Sequence, residues 1–223
     1  MQLLSVNVGT VQPIQNAKPS GKTGIFKTPR TEPIKITELG LEGDAIIDTQ
    51  NHGGVDQAVY VFTAPDYAWW SSYLGRALEP GMFGENFTIS GLESASLHIG
   101  DRLQVGAVLI EVTSPRIPCV TIAARMGDPQ FVKKFQKAER PGVYCRVIEV
   151  GSVRARDPVT LIPYQGEQVG ILELFRVFYS KRYTEDLLRR FLSVPIHTKD
   201  KPSYEKKLAR LLARSEAKPN APK

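Results

Sequence analysis

The sequence predicts a mainly β fold with helical insertions, barrel-like or sandwich-like over residues 1 to about 165. A small three-helix appendage follows over about 166–215, and a disordered tail over 216–223. Three observations carry this. Residues 1–165 are dense in Gly and Pro and hold short β-branched and aliphatic runs, the mark of many short strands joined by frequent turns. After Pro163 the apolar residues switch to helical spacing. Beyond Arg214 the chain reads Ser-Glu-Ala-Lys-Pro-Asn-Ala-Pro-Lys, too poor in apolar residues to pay for order.

The clearest strands are Ala58–Phe62, Val108–Val112, Val143–Ile148 and Val159–Ile162. Helices are expected as insertions at Pro65–Leu74, where proline suits a first turn, and at Cys119–Lys137. In the appendage, Val169, Leu172, Phe175 and Phe178 mark one amphipathic helix. Leu187, Leu188, Phe191 and Leu192 mark a second, and Leu208, Leu211 and Leu212 a third.

Composition narrows the function. With 223 residues, 42% of them hydrophobic, the chain can bury a real core. No stretch has the length and apolarity of a membrane helix, and Met1–Thr10 lacks the basic start and apolar run of a signal peptide, so a cytoplasmic location is expected. The net charge of +6 is lopsided: residues 176–223 carry 13 Lys or Arg against 5 Asp or Glu, while residues 1–175 carry 16 against 18. The basic segment is read mainly as a solvated helical surface, with a nucleic-acid-binding module as the minor alternative.

Two cysteines without a CxxC give neither a disulfide framework nor a thiolate zinc cage. Period separates them. Val143, Cys145 and Val147 alternate onto one strand face, so Cys145 fills the core, while Tyr144 and Arg146 take the other face. Cys119 follows Ser114-Pro-Arg-Ile-Pro118 and opens a helical stretch. A thiol at a helix start near Arg116 has a lowered pKa, and a thiolate is both nucleophile and soft-metal ligand. This local argument leaves a buried structural thiol equally open.

Some motifs are excluded. Gly21-Lys-Thr23 imitates the end of a P-loop, but Asn16 replaces its first glycine, and Gly24 and Pro29 stand where a helix should start. There is no GxSxG, no HExxH and no clustering of His52, His98 and His197, which disfavours serine hydrolase and zinc chemistry. Tyr67, Trp69, Trp70 and Tyr73 could form a stacking surface for a purine, but their spacing on a short helix favours packing onto the barrel.

The remaining polar segments are loops: Leu41-Glu-Gly-Asp44, Asn51-His-Gly-Gly54, Phe83-Gly-Glu-Asn-Phe87, Gly100-Asp101, Pro115-Arg-Ile-Pro-Cys119 and Gly142-Val-Tyr-Cys-Arg-Val147. In this order they resemble the MOSC domain, related to the C-terminal part of molybdenum cofactor sulfurases, and the three following helices resemble those of its YiiM-type subgroup. The resemblance implies a β-barrel-like fold, a molybdenum cofactor (molybdopterin with Mo) in a cleft, and Cys119 as metal ligand. It also implies reduction of N-hydroxylated compounds, including N-hydroxylated purine bases and hydroxylamines. Pyridoxal phosphate is not expected.

Such a reduction needs two electrons, an oxygen acceptor and protons. Candidates for the protons are Glu42, Asp44, His52 and Glu85, although carboxylates in Gly-rich turns also cap backbone amides. The cofactor phosphate calls for cations or amide donors, for which Lys18, Ser20, Lys22, Arg116 and Arg146 are candidates. Gly53 and Gly54 could admit a ligand or form a turn, Asn86 could bond the pterin or pin its own loop, and Tyr144 could line the cleft beside Arg146. Gln57 departs from several relatives, which carry a basic residue there. With no iron-sulfur, flavin or nicotinamide pattern in the chain, a separate flavin or iron-sulfur donor protein is the implied partner. A sulfur or cofactor carrier using Cys119 without reductase activity is the main alternative.

Overall fold

The computed structural model describes residues 1–17, 19–49 and 52–216. Its strands are β1 (Leu3–Gly9), β2 (Gln12–Pro13), β3 (Lys22–Thr23), β4 (Lys27–Pro29), β5 (Ile34–Thr37), β6 (Gly40–Leu41), β7 (Val59–Thr63), β8 (Phe87–Ile89), β9 (Arg102–Val105), β10 (Val108–Pro115), β11 (Val143–Glu149), β12 (Gly151–Val153) and β13 (Val159–Ile162). The helices are α1 (Ala64–Leu74), α2 (Val120–Met126), α3 (Phe131–Ala138), α4 (Ile171–Ser180), α5 (Glu185–Ser193) and α6 (Lys201–Glu216).

Eight strands form one sheet in the order β13-β9-β10-β11-β7-β8-β1-β4. Every pairing is antiparallel except β7 with β8, which needs a crossover, supplied by α1. The sheet is curled and open, so the expected barrel is only approached: β13 and β4 remain its ladder edges. The curl brings the start of β1 to the entry of β13, where Gln2 bridges Pro158 and the Leu3 amide donates to the Asp157 carbonyl at 2.9 Å.

Two cores result. On one side, Val6, Val61, Val112, Cys145 and Ile110 pack with Val169, Ile171, Leu174 and Phe191, so the C-terminal helices share a core with the sheet. Backbone bonds stitch them together, with Ile99 donating to Val169 and Leu97 accepting from Ile171, each at 2.9 Å. On the other side, Trp70, Phe62, Phe83, Phe131 and Phe135 form an aromatic core under α1 and α3. Tyr67 and Trp70 thus pack as expected, whereas Tyr73 stays exposed and stacks on Trp69 with centroids 5.0 Å apart.

The helix expected over Cys119–Lys137 is two helices. Gly127 ends α2 in the left-handed conformation (φ 66°), and Pro129 follows two residues later, a stop the sequence already contained. Thr184 caps α5 by accepting from the Leu187 amide at 3.2 Å. Residues 217–223 of the expected tail lie outside the described residues, and Glu216 ends α6.

Candidate functional site

The site forms where β10 ends. Every residue of β10 is buried, and its extension through Arg116, Ile117 and Pro118 carries Cys119 to the start of α2 at the rim of a cavity. Ser20, Lys22, Lys27, Asp44, Asp48, His52, Gly53, Gln57, Tyr60, Asn86, Arg116, Cys119, Thr121 and Tyr144 all contribute to its wall. Loops remote in sequence are thereby brought together around one thiol.

The electrostatics of Cys119 favour the thiolate. Burial opposes the charge, but a hydrogen bond from His52, the guanidinium of Arg116 and a hydrogen bond from Thr121 outweigh it and bring the thiol down to about 5. His52 is in turn oriented by Asp48, whose carboxylate lies 3.5 Å from Nδ1. Cys145 behaves in the opposite way. It is fully buried in the core, where the thiolate finds no support and its pKa is pushed up.

Arg116 is buried, its Nη1 donates to the Phe83 carbonyl, and its guanidinium lies 5.0 Å from the Tyr60 ring centroid. Among the described residues it has no carboxylate partner, and its Nε makes no hydrogen bond. Tyr60 is pinned by its hydroxyl donating to the Pro141 carbonyl at 2.8 Å. Close approach there requires glycine: Gly142 has φ 64°, and a Cβ on it would meet the Tyr60 ring at 2.7 Å.

Asp44 lines the cavity but is already engaged. It accepts from the Gly9 amide at 2.8 Å, from Asn86 Nδ2 at 2.9 Å and from Lys27 Nζ. Asn86 also accepts from the Tyr60 amide at 3.1 Å, so Asp44 and Asn86 order the cavity floor. Lys27 was missed from the sequence. Its signal is alternation, because Ile25 and Lys27 both point inward. Burial lowers its pKa against the pull of Asp44.

Ser20 and Lys22 reach the cavity from an exposed hairpin loop, while Lys18 falls outside the described residues. Gly53 lines the wall, and a Cβ on it would press on Ile46 at 2.9 Å. Gly54 does not line it; its φ of 82° starts the short turn Val55–Gln57 instead. Glu42 is exposed on its turn.

Two expected cleft residues are placed elsewhere. Glu85 is fully buried below the cavity, where Oε1 accepts from Tyr67 at 2.6 Å, Gly81 at 2.6 Å and Thr88 at 2.9 Å. Burial pushes its pKa up, and its role is to hold a loop. Arg146 faces Asp56 at 3.0 Å and donates to the Pro195 and Ile196 carbonyls at 2.9 and 3.0 Å. It clamps the segment after α5 and does not line the cleft with Tyr144, because Asp56 and the two carbonyls hold its guanidinium elsewhere.

The residues fit a metal that arrives with its own chelate. No group of three or more His, Cys, Asp or Glu among the described residues could hold a bare ion, so one soft thiolate would be a single ligand to a metal bound mainly by other atoms. Gln57 Oε1 and Arg116 Nε are buried at the wall without partners, an acceptor and a donor that a polar cofactor can satisfy. No helix among the described residues is long and apolar enough to cross a membrane.

The MOSC domain family model matches residues 48–160. Protein YflK of Bacillus subtilis is 32% identical over 94% of this chain and 96% of its own length. The crystal structure of YiiM from Geobacillus stearothermophilus superposes with a TM-score of 0.76 at 25% identity, covering 93% of this chain and 98% of that one. A protein of Gibberella moniliformis named reductase is 26% identical over 78% of this chain, which spans 32% of that protein. With its ordered loop motifs and these matches, the chain belongs to the MOSC domain family.

Proposed function

We propose that the protein is a molybdenum-cofactor-dependent reductase of N-hydroxylated compounds, fed electrons by a separate flavin or iron-sulfur protein. The observation that carries this reading is the pairing, in one cavity, of a thiol held largely as thiolate with a buried guanidinium that has no carboxylate of its own. Burying a cation costs several kcal/mol; the Cys119 thiolate offsets part of that cost, and an anionic cofactor ligated by Cys119 would offset more of it. The reductase name of the Gibberella relative points the same way.

Bound there, the cofactor supplies two-electron, oxygen-accepting chemistry. Cys119 offers its sulfur as ligand without first losing a proton at neutral pH. Arg116 would balance the negative charge collected around that sulfur, and its unpartnered Nε would be free to donate to the cofactor. Lys22 and Ser20, which line the cavity, would hold its phosphate. Lys27, Asp44 and Asn86 keep the floor fixed, so that binding orders little that is not already ordered. The overall change, R–NHOH plus two electrons and two protons to R–NH2 and water, needs a proton path, and His52 between Asp48 and Cys119 is positioned to provide it.

The test is molybdenum stoichiometry of wild type and Cys119→Ser purified from a cofactor-producing host, with reduction of 6-N-hydroxylaminopurine by an artificial donor. Near-stoichiometric metal and turnover in wild type, with turnover abolished in the variant, is the expected result. Wild type from that host without molybdenum or turnover overturns the reading.

A further inference from the structure

Behind Cys119 lies a second cavity, of about 540 Å³, a size that accommodates a fused heteroaromatic ring. It shares His52, Gln57, Cys119 and Tyr144 with the first, so the two meet at the thiol. Its other wall comes from the C-terminal helices: Leu174 and Phe178 on α4, Tyr204 on α6, and Asp200 just before α6. Phe178 is 42% exposed, which places an aromatic ring at the entrance.

Asp200 is the polar group of this wall that nothing else uses. Its carboxylate makes no hydrogen bond or ion pair among the described residues; only its backbone is engaged, the amide donating to the His197 carbonyl at 3.0 Å and the carbonyl accepting from Ser203 and Tyr204 at 3.1 Å. Burial raises its pKa, with His197 and Lys207 pulling it back down. A half-buried carboxylate with free lone pairs gains most from a guest that brings N–H donors.

The segment that presents Asp200 is held rigidly. Asp56, in the turn just after His52 and Gly53, accepts from the Thr198 amide at 2.7 Å and from its hydroxyl. Arg146 holds the Pro195 and Ile196 carbonyls, and the His197 amide donates to the Thr113 carbonyl at 3.2 Å. Five hydrogen bonds fix this stretch against the sheet, and Arg146 and Asp56, which make four of them, are themselves ion-paired. That is preorganisation of a kind suited to recognition.

We propose that this second cavity is the substrate chamber and that Asp200 is its specificity residue, accepting the N–H groups of a flat amidine or aminopurine head, with Phe178 and Tyr204 as the aromatic wall. The proposal rests on the reductase reading, and it deepens that reading by assigning the C-terminal helices to substrate choice.

Two measurements separate the chamber from the reductase reading. Calorimetry with benzamidine, a flat amidine that cannot be reduced, is run on purified wild type, Asp200→Asn and Phe178→Ala, whose folding is checked by circular dichroism. Steady-state kinetics on the molybdenum-loaded proteins then compare benzamidoxime with hydroxylamine, which has no ring or amidine. One-to-one binding in wild type, weakened at least tenfold in both variants, is expected. A KM for benzamidoxime raised at least tenfold, with kcat, the hydroxylamine KM and molybdenum content each within twofold, is expected of Asp200→Asn. Absence of benzamidine binding, or binding unchanged in Asp200→Asn, overturns the chamber. Binding that depends on Asp200 in a metal-loaded protein without turnover upholds the chamber and sinks the reductase reading instead.

Discussion

Titration of Cys119 in cofactor-free protein tests the site most directly. The ordinary thiol value is 9.0 and the site brings it to about 5, a difference worth ~5 kcal/mol at about 1.36 kcal/mol per pKa unit. At pH 7 the thiolate then exceeds the thiol about a hundredfold. Because the folded-state pKa is depressed, the stabilisation is fully present above the unfolded value of 9.0 and lost as pH falls through about 5. At pH 7 roughly 3 kcal/mol of it remains. Iodoacetamide alkylation rates across pH read the thiolate fraction, and the Cys119→Ser variant measures the contribution of Cys145, which is subtracted. The rate is expected to rise with a midpoint near pH 5, and replacing His52 by Ala or Arg116 by Met should each move that midpoint up by about one to two units. A wild-type midpoint at or above pH 8, or one indifferent to both replacements, refutes the electrostatic account.

Further expectations follow from single residues. Arg146→Met leaves Asp56 buried without its cation and should cost about 3–5 kcal/mol in urea unfolding; a loss under about 1 kcal/mol argues against the clamp. Gly142→Ala must move Tyr60, the ring under Arg116, so molybdenum content should fall alongside stability. Trp70→Ala empties the centre of the aromatic core and should cost about 3–5 kcal/mol without altering the Cys119 titration midpoint. Lys27→Met strands Asp44, so stability should fall by about 2 kcal/mol or more, and Asp44→Leu added to it should restore part of that loss.

Strands β7, β10, β11 and β13 and the helices α1 and α4 to α6 were legible because period and turn chemistry are local, and Cys145 could be told from Cys119 by alternation alone. The cavity was legible as a set of loops, but the duties of its members were not. Arg146 and Tyr144 are half-buried on one strand face, yet Arg146 is drawn away by Asp56 and the 195–196 carbonyls, partners that only tertiary folding supplies. Glu85 looked like an acid in a Gly-rich loop, and its three donors come from α1, a turn and β8. Lys27 escaped notice because an inward lysine is costly unless a distant carboxylate awaits it, and Asp44 is that group. The second cavity needs walls from both the sheet and the C-terminal helices, so no segment foretells it.

The bridge between the start of β1 and the entry of β13 joins residues 154 positions apart, as in the bond from the Leu3 amide to Asp157. Loop closure on that scale is slow and is rewarded only when both ends are present. During synthesis β1 is made first, but its last partners emerge only after nearly three quarters of the 223 residues. The curled sheet is therefore finished late, and the thiol at its centre, on a segment leading from β10, gains its low pKa only when loops from both halves of the chain have met around it.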